Sequence, residues 1–188
     1  MTVFTHHSIE SAPEAAKPLM EQAVKEYGML PGLYQVMSSS PELLESYFKL
    51  HELFDRTALS VTERNVVWMT INVEHACHYC VPAHTAIAKM QGVDDEIVAA
   101  LREERTLADA RLEALRQFTL ILVRERGNAP KAAVDTFLAA GFEPRAILDI
   151  LVGLAQKVLS NYTNHLAETP VDAAFQAFAW ERTSAAAE

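Results

Sequence analysis

Two cysteines stand two residues apart in the stretch Glu74–Ala88, EHACHYCVPAHTAIA, and a histidine follows four positions after the second. They are Cys77, Cys80 and His84, and the chain has no other cysteine. Pro82 lacks an N–H and clashes with the carbonyl four residues back, so it belongs in a first helical turn. This predicts a helix starting near Cys77–Tyr79, with the cysteines at its N-terminus. At 3.6 residues per turn the three side chains fall within roughly 60° of arc and can meet at one site. A helix N-terminus carries partial positive charge and unpaired N–H groups, which favour a thiolate. In that setting a CxxC supplies a nucleophile, a second thiol that can resolve its oxidised form, and a histidine that can carry a proton. Two other readings stay open. A structural zinc site needs four ligands, and only His78, His84 or distant His165 could join the two cysteines. An inert buried pair is the other.

The surrounding composition favours a helical scaffold. The chain has 188 residues, enough for a single domain spanning 1–188. Half the residues are hydrophobic, charged residues make up 22%, and the six glycines and eight prolines form no low-complexity run. Apolar positions recur at three- and four-residue spacing nearly throughout, which predicts an all-α fold. Residues 13–27 read as one helix, weakened at Pro18. A short helix follows the turn at Pro31–Gly32. Ser40–Pro41 starts a helix reaching about Thr57, and the capping-box pair Ser60 and Glu63 starts another near Val61. The motif helix is expected to stop at Gly92. Helices are then expected within 93–104, 108–127, 129–141 and 143–168, and a further one over 171–182. Residues 1–12 and 183–188 read as flexible ends. Residues 80–101 resemble 129–151 in order: proline, helix, glycine, short cap, apolar helix.

The net charge of −9 comes without a basic stripe, which argues against nucleic-acid and anionic-membrane partners. No apolar run approaches a membrane span, and the N-terminus lacks a signal-peptide pattern. The cytoplasm is therefore the expected location. There a CxxC is more often catalytic or metal-binding than a permanent disulfide.

The longer stretch Leu59–Val93, LSVTERNVVWMTINVEHACHYCVPAHTAIAKMQGV, resembles the core of the AhpD-like alkylhydroperoxidase branch of the carboxymuconolactone decarboxylase superfamily. Leu59, Ser60, Glu63, Arg64, Cys77, Tyr79, Cys80, His84 and Gly92 carry the likeness. Residues 30–54 and 160–172 extend it towards peroxidase-related members. The resemblance implies an all-α fold in which the CxxC opens a central helix. It implies Cys80 as the attacking thiolate, Cys77 as the resolving thiol and His84 as part of a proton relay. The reaction it implies is hydroperoxide reduction through a dithiol–disulfide cycle, recharged by an external dithiol, with no cofactor or metal and with homo-oligomers expected. The prototype's relay glutamate stands where this chain has Asn65, which cannot exchange a proton near neutral pH. Glu74, one helical turn before Cys77, is the candidate replacement, while Glu63 is expected only to cap its helix. A carboxymuconolactone-decarboxylase-like enzyme and a non-enzymatic redox-sensing or oligomeric protein are the alternatives.

Overall fold

The computed structural model describes residues 3–182. Among them are nine α-helices, a short C-terminal 3-10 helix and no strand. The helices are α1 Lys17–Tyr27, α2 Gly32–Met37, α3 Pro41–Asp55, α4 Val61–Glu74, α5 Cys80–Met90, α6 Asp95–Arg102, α7 Ala110–Arg124, α8 Lys131–Ala139 and α9 Pro144–Ala167.

Local signals account for most boundaries. The Ser40 side chain accepts from Leu43 N–H at the start of α3, with Pro41 in the first turn. Ser60 and Glu63 form a complete capping box on α4. Asp94 and Asp109 cap α6 and α7. Gly92, Gly127 and Gly141 each take positive φ just past a helix end. The paired segments 80–101 and 129–151 both fold as helix–turn–helix, as their shared order suggests.

Two boundaries differ from expectation. The first helix begins at Lys17, because Pro18 fits only a first turn; the residues before it form isolated turns. Within 171–182 only Ala173–Phe178 is helical, as a 3-10 turn with no side-chain cap. In the N-terminal segment Ala12 is buried and His7 N–H donates to the Gln35 carbonyl. Residues 1–2 and the tail 183–188, read as flexible from sequence, lie outside the described residues.

The interior divides into two apolar clusters. One gathers Trp68, Val66, Ile71, Leu115, Phe118, Phe137 and Ile150 around α4, α7 and α8. The other gathers Met20, Tyr34, Met37, Leu44 and Tyr47 from α1–α3 together with Cys77, Tyr79, Cys80 and Ala83. α4 is buried on nearly all sides, and α9 packs against α3, α4 and α5. The CxxC therefore lies on the seam between the clusters, walled by α9.

α9 is polar on its inner face. Gln156, Lys157, Ser160, Asn161 and Asn164 are all essentially buried, whereas Leu148, Leu151, Tyr162 and Leu166 point outward with 65%, 40%, 52% and 67% exposure. This inverts the usual apolar-in pattern of a surface helix. The inner polar stripe faces the cysteines.

Candidate active site

The turn that presents the cysteines is sharply bent. α4 ends at Glu74, and Ala76 takes a left-handed φ of 51°. A non-glycine residue there costs on the order of 1 kcal/mol. Cys77 N–H then donates to Asn72 O (2.9 Å), and Val81 N–H to Cys77 O (3.1 Å), so Cys77 leads directly into α5. Tyr79 fixes the turn from outside: its hydroxyl donates to Asp172 Oδ2 at 2.5 Å, and Asp172 also accepts from Gly32 N–H.

Both cysteines are free thiols and almost fully buried. Cys80 N–H donates to Cys77 Sγ at 3.2 Å, and Asn164 Nδ2 donates to Cys80 Sγ at 3.2 Å. The environment separates the two thiols. Burial pushes Cys77 up, and the neighbouring Cys80 adds to that. Burial also raises Cys80, but the Cys77 thiol, the Lys157 ammonium and the Asn164 and Asn161 amides more than offset it, bringing Cys80 down to about 7. Cys80 is thus the thiol that ionises first.

His84 lies one turn along α5, with its Nε2 2.7 Å from Lys157 Nζ. Burial, and then Lys157, hold its imidazole well below the ordinary value. It is neutral at pH 7 and accepts from the ammonium. Lys157 is wholly buried and lies 5.7 Å from the ring centroids of both Tyr47 and Trp68. Trp68 also packs against His84 and stacks on His51. Gln156 links the two by accepting from Trp68 Nε1 and contacting His51 Nδ1.

The structure puts Cys77 and Cys80 in contact and sets His84 one turn along α5 against Lys157. It engages Glu74 elsewhere: its carboxylate takes two hydrogen bonds of 2.8 Å from Arg124 and also pairs with Arg182. Asn65 donates to Val61 O and Gln91 Oε1, joining α4 to the end of α5. Glu63 caps α4 and pairs with Arg111. His78 meets the Thr169 carbonyl. His75 is half-buried and bonds Asn161. His165 is exposed, whereas its neighbours Asn161 and Asn164 enter the buried network. Among the described residues no three His, Cys, Asp or Glu side chains converge as a metal-holding group.

Lys157 and Gln156 are the site residues that sequence reasoning missed. Their signal was present as a polar stripe at Lys157, Ser160, Asn161 and Asn164, the i, i+3, i+4, i+7 spacing of one helix face. Nothing in the sequence showed that this face points inward.

Residues 41–120 match the family model of the carboxymuconolactone decarboxylase family. Structures sharing the fold include the alkylhydroperoxidase AhpD core, an uncharacterized peroxidase-related protein from Ralstonia eutropha JMP134. It has a TM-score of 0.82 and 17% identity, over 93% of this chain and 94% of that one. The family match covers 80 of the 188 residues, 41–120, and contains both cysteines and His84. An uncharacterized peroxidase-related protein from Silicibacter sp. TM1040 superposes with a TM-score of 0.77 at 19% identity, covering 92% of this chain and 94% of that one. A cysteine-to-alanine variant of the debrominase Bmp8 in complex with 2,3,4-tribromopyrrole gives 0.76 at 21% identity, covering 94% and 95%. No curated protein matches the sequence. At these identities the structural likenesses establish the AhpD-like helical fold.

Proposed function

We propose that the protein is a thiol-dependent oxidoreductase that reduces hydroperoxides through Cys80 and Cys77. The carrying observation is the asymmetry of the two thiols: Cys80 is brought down to about 7 while Cys77 is pushed up. Cys80 thiolate attacks the terminal oxygen of the hydroperoxide, the O–O bond breaks, and the alkoxide leaves as alcohol once protonated. The Cys80 sulfenic acid then condenses with the Cys77 thiol, releasing water and forming the disulfide. An external dithiol reduces that disulfide. Two buried polar atoms, Oδ1 of Asn164, whose amide contacts Cys80, and Nδ1 of His84, lack a protein partner. Glu74, committed to arginines, has no part in this cycle.

We place the cycle in the cytoplasm, where dithiol reductants recycle such a pair. No helix among the described residues is long and apolar enough to cross a membrane. We further propose that the protein works as a homo-oligomer, supported by the outward apolar stripe of α9.

A second reading is favoured by the aromatic surroundings of the site, Tyr47 and Trp68, together with the likeness to Bmp8. In it the Cys80 thiolate would take a halogen from an aromatic ring as the ring carbon gains a proton, and the Cys77 thiol would then displace halide from the Cys80 sulfenyl halide, forming the disulfide.

The test is dithiol-coupled turnover of hydroperoxide. Wild type should turn over, and Cys80→Ser should lose turnover entirely. A Cys80→Ser variant with full activity would show that another group does the chemistry. Release of bromide from a brominated pyrrole, without hydroperoxide turnover, would favour the second reading.

A further inference from the structure

Lys157 is a buried cation without a carboxylate. Among the described residues no acidic side chain pairs with it; its one hydrogen bond is to the neutral His84. Keeping an ammonium charged in such a place is expensive unless a negative charge is near. The titratable groups that face it are Cys77 and Cys80, His84 on α5, and His51 and Tyr47 on α3. α4 contributes only the Trp68 ring. Of these, Cys80 is the group that is anionic near neutral pH.

The packing of α9 against α5 enforces the pairing. Asn164 touches Cys80, and Lys157, two turns earlier on α9, touches His84, one turn later on α5. The helices run antiparallel along this contact, so the Lys157–His84 pair lies one turn of α5 along from the Asn164–Cys80 contact. Burial brings Lys157 down to about 8 even with the thiols pulling it up. Oxidation of Cys80 erases the charge that holds the ammonium.

We infer that Lys157 is a redox-linked proton store, charged while Cys80 is a thiolate and neutral once Cys80 is oxidised. This rests on the dithiol cycle proposed above. Attack of the thiolate on ROOH breaks the O–O bond and leaves RO⁻. The proton from Lys157, bridged by His84, converts it to ROH, leaving a neutral amine and a sulfenic acid. Condensation with Cys77 yields the disulfide and water. On reduction, the external dithiol delivers two electrons and two protons. One proton returns to Cys77, and the other returns to Lys157 as Cys80 is released as thiolate. Lys157 thereby supplies the proton that Asn65 cannot.

The proton balance tests this directly. Diamide oxidises dithiols whether or not hydroperoxides are the natural reactants, so it separates this inference from the choice of substrate. Wild type is oxidised in weak buffer at a pH between the Cys80 and Lys157 values, about 7 and about 8. Thiolate is followed by ultraviolet absorbance and protons by an indicator dye. The expected result is loss of the thiolate with almost no proton uptake from solvent, because Lys157 supplies the proton. Uptake of one proton per thiolate lost overturns the inference. In Lys157→Met, if circular dichroism shows it folded, the Cys80 ionisation midpoint should rise by about one pH unit or more. Above that midpoint each disulfide should take up one proton. An unchanged midpoint in the folded variant also overturns the inference. Should Lys157→Met fail to fold, the wild-type count alone decides. If diamide closes no Cys77–Cys80 disulfide, the dithiol cycle itself fails, and Lys157 has no redox partner.

Discussion

At the scale of residues, the proposed chemistry depends on two protons held in different places. One stays on Cys77, which burial and Cys80 keep protonated; the other stays on Lys157, opposite an ionised Cys80. The pH dependence follows with a definite sign. Activity should rise as Cys80 loses its proton, through about 7, and fall as Lys157 loses its own, through about 8. A bell-shaped kcat/KM profile with a narrow maximum between those limbs is expected. His84 contributes neither limb, since it is already neutral at pH 7. A profile rising without a descending limb would mean that the ammonium is not required. Asn164 adds specificity to the ionised state: it donates to the Cys80 sulfur and leaves its own oxygen facing no protein donor.

At the scale of elements, the site is the junction of α4, α5 and α9. The CxxC and its helix were legible in the sequence, because Pro82, Gly92 and the Ser60–Glu63 box punctuate the chain through local chemistry. The cysteines at the start of α5, and His84 one turn along it, followed from helical spacing. The partner face on α9 did not, because a polar stripe in an amphipathic helix normally faces solvent. Burying it requires knowing what lies opposite, and that is set by tertiary packing. Glu74 misled for the same reason. Its spacing from Cys77 suits a relay, but Arg124, 50 residues away in the chain, claims the carboxylate. α9 reaches its position by approaching α3 closely at Gly153, where an added Cβ would lie 2.8 Å from Phe54 Cζ. Gly153→Ala should therefore cost about 1–3 kcal/mol in chemical denaturation, by forcing the two helices apart. An unchanged denaturation midpoint would show that Phe54 can yield.

At the scale of the whole molecule, the polar core of the site and the apolar outer stripe of α9 belong to one design. The helix spends its inward face on Lys157, Ser160, Asn161 and Asn164, leaving Leu148, Leu151, Tyr162 and Leu166 outside. A second copy of the chain is the proposed cover, so light scattering should report a particle well above the 20.9 kDa of one chain. Replacing Leu148 and Leu166 by glutamate should reduce that mass; a wild-type particle of single-chain mass would contradict the assembly. The C-terminal segment closes over the other side of the site. Asp172 holds Tyr79, Arg102 holds the Phe178 and Ala179 carbonyls, and Trp180 returns a hydrogen bond to the Arg102 carbonyl. The cysteines are thereby shielded on every side described, which suits a thiolate that must meet one reactant and avoid others. The central claim is that Cys80 and Cys77 form a working redox pair, and a thiol count after one equivalent of hydroperoxide tests it most directly. Reduced wild type should lose both titratable thiols per peroxide consumed and regain both with a dithiol, while Cys80→Ser should keep its one thiol and consume no peroxide. Persistence of both thiols in wild type under that treatment would contradict the account.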